Sequence, residues 1–204
     1  MKPETFIQDA RAAKRAALDE SAGKQLLAAY GVAVPKSVIV KGPQDVAAAF
    51  KVLKAPVVVK VVSPDILHNS DAGGVKVGLK SASEVEEAIR AMAAAPLISK
   101  AKVEGYLIEE MAPAGQEIVV GGLRDPEFGP LVMVGLGGIF VEVLADVSFR
   151  ICPITRIDAQ EMLSELKGAA ILKGARGRKP ASLDAIIDVL LKVGGENGLL
   201  LRHA

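Results

Sequence analysis

Aromatic residues are scarce in this sequence, with five Phe, two Tyr and no Trp among 204 residues. The scarcity removes the stacking platforms that hold single-stranded nucleic acid, and it leaves the core to Val, Leu, Ile and Ala. Cysteine is scarcer still. Cys152 stands alone, so an internal disulfide and a multi-cysteine metal site are both excluded. With no His or Lys close in sequence, it reads as a buried thiol rather than a reactive one. Neither sign of charge dominates: 25 Lys and Arg face 24 Asp and Glu, a net charge of +1. Nothing in that balance favours nucleic acid or an anionic membrane surface as a partner.

Long apolar runs are missing too. The opening "MKPETFIQDARAAKRAALDE" is charged throughout, unlike a secretory signal. The longest apolar run, "PLVMVGLGGIFV" at 130–141, falls short of the roughly 20 residues of a membrane-spanning helix. The expectation is a cytoplasmic protein. The common phosphate loops are also absent: there is no GxxxxGK[ST], and "GLGGIF" puts Phe140 where a dinucleotide fingerprint needs its third glycine.

What is present is a chain that is 50% apolar, enough for a packed interior. "IQDARAAKRAALDESAGKQLLAAYG" reads as helical, with Ser21 capping a second helix that carries Leu26, Leu27 and Tyr30 before Gly31 stops it. "VPKSVIVK" and the β-branched run "APVVVKVVS" read as strands, and "GGVKVGL" as a hairpin or sheet partner of the latter. Ser83 with Glu86 predicts a capped helix bearing Val85, Ile89 and Met92. From "GYLIEEM" onward the pattern changes to successive strands, beginning with "YLIEEM" and ending with "FVEVLADVSFRICPI". Two helices follow, one started by Asp158 and one by Ser182. The expected class is α/β, built as two α+β lobes joined near residues 105–108.

Lys60 ends the apolar strand "VVVK", and His68, Gly73 and Gly74 follow it. A lysine so placed either snorkels to solvent or points its ammonium into a cleft, where a point charge suits phosphate. Adjacent glycines make a plain hairpin turn or free backbone N–H groups to close around an anion. Acidic residues gather in the second half at Glu109, Glu110, Glu117, Asp125, Glu142 and Asp146. Carboxylates on strands can orient a ribose, bind Mg²⁺ or fix an imidazole tautomer. Arg150, four residues past Asp146, is either its partner or a phosphate clamp.

Together "ESAGKQLLAAYGVAVP", "APVVVKVVSPDILHNSDAGGV" and "YLIEEMAPAGQEIVVGGLRDPEFGPLVMVGLGGIFVEVLADVSFRICPI" resemble the ATP-grasp domain of ADP-forming acyl-CoA synthetases, related to the β subunit of succinyl-CoA synthetase. The resemblance covers nearly the whole chain. It implies an ATP-grasp fold whose two lobes enclose a nucleotide cleft. The expected division is 1–23, an N-terminal helix on the second lobe; 24–107, the first lobe; and 108–204, a second lobe without its C-terminal strands.

It also implies ATP or ADP with Mg²⁺ as cofactors and a CoA-binding subunit or domain as partner. Lys60 is then expected on the phosphates, with Glu109, Glu110 and Met111 as the hinge against adenine. Glu117 matches the next acidic position near the nucleotide, and Gly73, Gly74 and Arg150 complete the expected contacts. His68 matches the histidine of the family's "HKSD" motif, which carries a phosphoryl group between sites, and Asn69 stands in place of its Lys. Glu142 or Asp146 is expected to orient the ring.

Family members continue into an "E-x-N-P" strand and a further Asp strand that supply Mg²⁺ ligands, whereas this sequence ends at "GLLLRHA". No metal ligand is therefore assigned, and His203 receives no role. Two other readings share the nucleotide site: a regulatory or scaffold module without turnover, and a carboxylate–amine ligase. Neither requires a histidine carrier.

Overall fold

Strands form where β-branched residues run together, because a pleated surface accommodates them. The computed structural model describes residues 3–66, 72–138, 145–174 and 179–203. The chain divides into two units: one runs up to Ala28 and takes in Ala33–Pro113, the other comprises Ala29–Val32 and Ala114–Ala204.

In the first unit, β1 (Ser37–Val40), β2 (Val57–Val62), β3 (Val75–Leu79) and β4 (Gly105–Glu110) form an antiparallel sheet in the order β1-β4-β2-β3. Side chains alternate between the faces of a sheet. Val57, Val59 and Val61 of β2 and Tyr106 and Ile108 of β4 thus share a core with Val85, Ile89 and Met92 of a helix at Ala82–Ala94. Each fully buried Val, Ile or Met there contributes about 1.5–3 kcal/mol. The alternate residues Val58, Lys60, Leu107 and Glu109 project to the opposite face. Among the described residues α1 (Pro3–Ala12), α2 (Glu20–Ala29) and α3 (Val46–Phe50) precede that helix, which is α4.

In the second unit, β5 (Ile118–Asp125), β6 (Gly129–Leu136) and β7 (Val147–Ile151) form an antiparallel meander. Among the described residues, α5 (Arg156–Glu165), α6 (Ala169–Leu172), α7 (Leu183–Gly194) and α8 (Leu199–His203) follow. Val132, Val134 and Leu136 of β6 are buried with Met162 and Leu163 of α5 and with Ile187 and Leu190 of α7. Cys152 joins this core, and burial pushes its thiol up despite a backbone hydrogen bond with Val132. No helix among the described residues is long and apolar enough to cross a membrane.

Several local expectations shift. The cap of α4 is Ser81, whose side chain accepts the Glu84 N–H, while Glu84 accepts the Lys80 N–H. The Ser-x-x-Glu spacing occurs twice in "SASEVE", and its first copy is the one whose serine backbone is extended. Asp158 lies inside α5, reciprocating a cap by Thr155. Asp19, not Ser21, accepts the Ala22 N–H at the start of α2, at 2.9 Å. The segment "YLIEE" is the strand between β1 and β2 in the first sheet, so a boundary at 107/108 would cut through β4. The residues before 24, expected on the second lobe, group with the first unit. Arg15 there holds both oxygens of Glu104 at 2.8 Å.

Candidate functional site

The β2–β4 register sets Val58 opposite Glu109 and Lys60 opposite Leu107, which puts Lys60 and Glu109 on one face as diagonal neighbours. Their side chains meet, with Lys60 Nζ 3.4 Å from Glu109 Oε1. Helix α2 adds a second such pair. Glu20 and Lys24, four residues apart and therefore on one helix face, are joined at 2.6 Å. Lys24 also donates to Glu109 Oε2, and Lys60 to Glu20.

The result is a ring of two ammonium and two carboxylate groups in alternation. Its members differ in burial: the Glu109 side chain is 6% exposed, Lys24 and Lys60 are 20% and 22%, and Glu20 is 35%. An unpaired carboxylate as buried as Glu109 would cost several kcal/mol, on the order of the penalty for any desolvated ion. The two lysines remove that cost.

Burial disfavours the charged form of Glu20, but hydrogen bonds from Lys24 and Lys60 outweigh it and hold the carboxyl below its ordinary value. Burial likewise acts against the Lys60 ammonium, and the Glu20 hydrogen bond and charge outweigh it, so Lys60 lies above its usual value. Glu20 thus stabilises the fold fully above about pH 4.3, its unfolded value, and loses that contribution as pH falls through the lower folded value. Lys60 contributes fully below about pH 10.4 and loses it as pH rises through its raised folded value. Urea midpoints followed by circular dichroism should show an acid-side loss from Glu20 that Glu20→Gln abolishes. An unchanged acid limb in that variant counts against the ring.

The other expected residues have definite neighbours. One Glu110 oxygen accepts the Lys54 N–H at 2.8 Å, and the Met111 N–H reaches Pro56 O at 3.2 Å, which docks the 109–111 segment on the chain before β2. Met111 remains 42% exposed. Gly73 adopts φ +70 with open space where a Cβ would lie. The Gly74 carbonyl accepts the Val61 N–H at 2.9 Å and extends the β2–β3 pairing. His68 and Glu142 lie outside the described residues.

Glu117, Asp146 and Arg150 belong to the second unit. The exposed Glu117 lies over Gly137 and Gly138: a Cβ at Gly137 would come 2.8 Å from Glu117 Cβ, and one at Gly138 would be 3.1 Å from Glu117 Oε2. Asp146 is 4% exposed and accepts the N–H groups of Lys167 and Gly168, both at 2.8 Å. Arg150 pairs with Glu165 rather than Asp146, donating to one carboxylate oxygen at 3.0 Å and also to the other. That hydrogen bond raises the Arg150 pKa and lowers that of Glu165. His203 accepts or donates a 2.8 Å hydrogen bond at the Tyr30 hydroxyl.

Glu20 and Lys24 were not legible as site residues. A Glu–Lys pair at i,i+4 reads as an ordinary solvated helix pair, and only the β2–β4 register reveals what it meets. The two ammonium groups are matched by the Glu20 and Glu109 carboxylates, so a phosphate at Lys60 would take the place of the more exposed Glu20 carboxylate. No group of three or more His, Cys, Asp or Glu that could hold a metal occurs among the described residues.

Residues 9–195 match the ATP-grasp domain family. The chain belongs to that family. It is 45% identical over 195 residues to the β subunit of acetate–CoA ligase (ADP-forming) I of Pyrococcus furiosus, covering 95% of this chain and 84% of that subunit. It is 46% identical over 173 residues to acetate–CoA ligase (ADP-forming) I of Archaeoglobus fulgidus, where the match spans 84% of this chain but 25% of that longer protein. Among solved structures, a Ca. Korarchaeum cryptofilum dinucleotide-forming acetyl-coenzyme A synthetase 1 superimposes with a TM-score of 0.82 at 39% identity, covering 95% of this chain and 84% of that one. That complex contains coenzyme A and Mg-AMPPCP, with a phosphohistidine segment pointing towards the nucleotide-binding site.

Proposed function

We propose that this chain is the nucleotide-binding part of an ADP-forming acyl-CoA synthetase, catalysing acid + CoA + ATP ⇌ acyl-CoA + ADP + phosphate together with a CoA-binding subunit or domain. The observation that carries the reading is the match over 95% of the chain to a synthetase holding both a nucleotide analogue and a phosphohistidine segment. Relatives in which the matching region is a separate β subunit, or a quarter of a longer ligase, support a partner that supplies the remainder.

Lys60 binds the nucleotide phosphates as a point charge. The 109–111 segment, docked by Glu110 and Met111 onto residues 54–56, lines the base. His68 accepts a phosphoryl group on an imidazole nitrogen and passes it to ADP: the P–N bond breaks as a P–O bond to the terminal ADP oxygen forms. Mg²⁺ bound with the nucleotide would supply neutralisation of phosphate charge. The chain's own contribution is to hold and orient. Gly73, Gly74, Glu117 and Arg150 are the further contacts the family resemblance implies, and Glu142 or Asp146 the group that orients the ring.

Incubating the full chain with Mg²⁺ and terminally labelled ATP should give a phosphoprotein stable to base and labile to acid. Absence of label while ADP still raises the melting temperature would sink the phosphoryl-transfer reading and leave a binding module. A carboxylate–amine ligase would likewise leave the protein unlabelled.

A further inference from the structure

The ring around Glu109 is asymmetric, and the asymmetry decides which contact can open. Lys24 bonds to both carboxylates, to Glu20 at 2.6 Å and to Glu109 Oε2. Lys60 bonds closely to Glu20 and sits 3.4 Å from Glu109. If Lys60 turns away, each carboxylate keeps Lys24. If Lys24 is absent, Lys60 alone serves both, and its departure leaves a carboxylate that is only 6% exposed without a cation. Glu20, at 35% exposure, can return to water at far smaller cost than Glu109.

We propose that Glu20 and Lys24 are positioning residues of the nucleotide site: Glu20 holds the Lys60 ammonium until a nucleotide phosphate replaces it, and Lys24 keeps Glu109 neutralised during that exchange. The inference rests on the reading of Lys60 as a phosphate ligand. Phosphate and the Glu20 carboxylate are both anionic oxygen acceptors and compete for the same donor. Glu20 thus prevents Lys60 from collapsing onto the buried Glu109 alone, and it lowers affinity for the phosphate it anticipates. Lys24 never touches the ligand but determines whether Lys60 is free to do so.

Calorimetric titration of the full chain with ADP and with adenosine tests this. Glu20→Gln should tighten ADP binding by about three- to fivefold, the scale of a partly exposed ion pair, and leave adenosine affinity unchanged. Lys24→Met should weaken ADP binding by about tenfold or more, the scale of losing a buried pair's partner, with Lys24→Arg restoring it. In a Lys60→Met background, Glu20→Gln should have no effect on ADP. Unchanged or weakened ADP binding in Glu20→Gln, or an equal shift for adenosine, overturns the proposal. So does wild-type ADP affinity in Lys24→Met. Where Lys24→Met does not fold, Glu20→Gln alone and in the Lys60→Met background decides. If Lys60→Met itself leaves ADP affinity intact, the Lys60 assignment fails instead, a separate result.

Discussion

Replacing His68 with Ala is expected to abolish the acid-labile phosphoprotein and to lower synthetase turnover, assayed with the CoA-binding partner, by at least about a thousandfold, as expected when a covalent nucleophile is removed. A neutral imidazole nitrogen is a competent nucleophile near pH 7, and alanine offers no atom to carry the group. Nucleotide binding should survive, because it is assigned to Lys60 and the 109–111 segment rather than to His68. ADP at about 100 times its dissociation constant should therefore still stabilise the variant by about 2.7 kcal/mol. Label retained in His68→Ala would place the phosphoryl acceptor elsewhere. Loss of both label and ADP stabilisation would make His68 a binding residue instead of a carrier.

Asp146→Ala should destabilise the second unit by about 2–4 kcal/mol, because it removes the acceptor of two part-buried N–H groups: each hydrogen bond to a charged group is worth about 1.5–3 kcal/mol, and water recovers part of that at a part-exposed turn. The carboxylate, 4% exposed, binds the Lys167 and Gly168 N–H groups and holds the turn between α5 and α6. Gly168 is fitted to that role, since a Cβ there would lie 3.2 Å from Asp146 Oδ2. Asp146→Asn keeps one acceptor and should recover part of the loss. Urea unfolding, with hydrogen exchange at the Lys167 and Gly168 amides, measures both. A loss below about 0.5 kcal/mol, the range of an ordinary surface substitution, would refute the capping account. A fall in turnover without destabilisation would favour Asp146 over Glu142 as the group that orients the imidazole.

Much of the architecture was legible because it rests on local pattern. The β-branched run "APVVVKVVS" reads as a strand and is β2, although Lys60 lies within that strand rather than at its end, on the face opposite the core. Ser182 capped α7 as expected, accepting the Ala185 N–H. The membership of "YLIEE" in the first sheet was not legible, because β1 and β4 pair across about seventy intervening positions, and no periodicity reports such pairing. The same limit concealed Glu20 and Lys24, whose partners are set by strand register. Arg150 reads in the sequence as either the partner of Asp146 or a phosphate clamp, and its ion-pair partner is Glu165, fifteen residues away rather than four. Family resemblance supplied the role expected of His68, which local pattern alone only placed between Lys60 and the Gly73–Gly74 pair.

Among the described residues the two cores have no member in common: one is built on β2, β4 and α4, the other on β6, α5 and α7. A change of side-chain volume is felt by the atoms packed against it, so a substitution in one core asks for compensation only within that core. Each half can therefore accumulate its own variation, and exchanging one half between related chains leaves the other's interior intact. In such a chimera the Glu20–Lys24–Lys60–Glu109 ring would be inherited whole, since all four residues lie in the first unit.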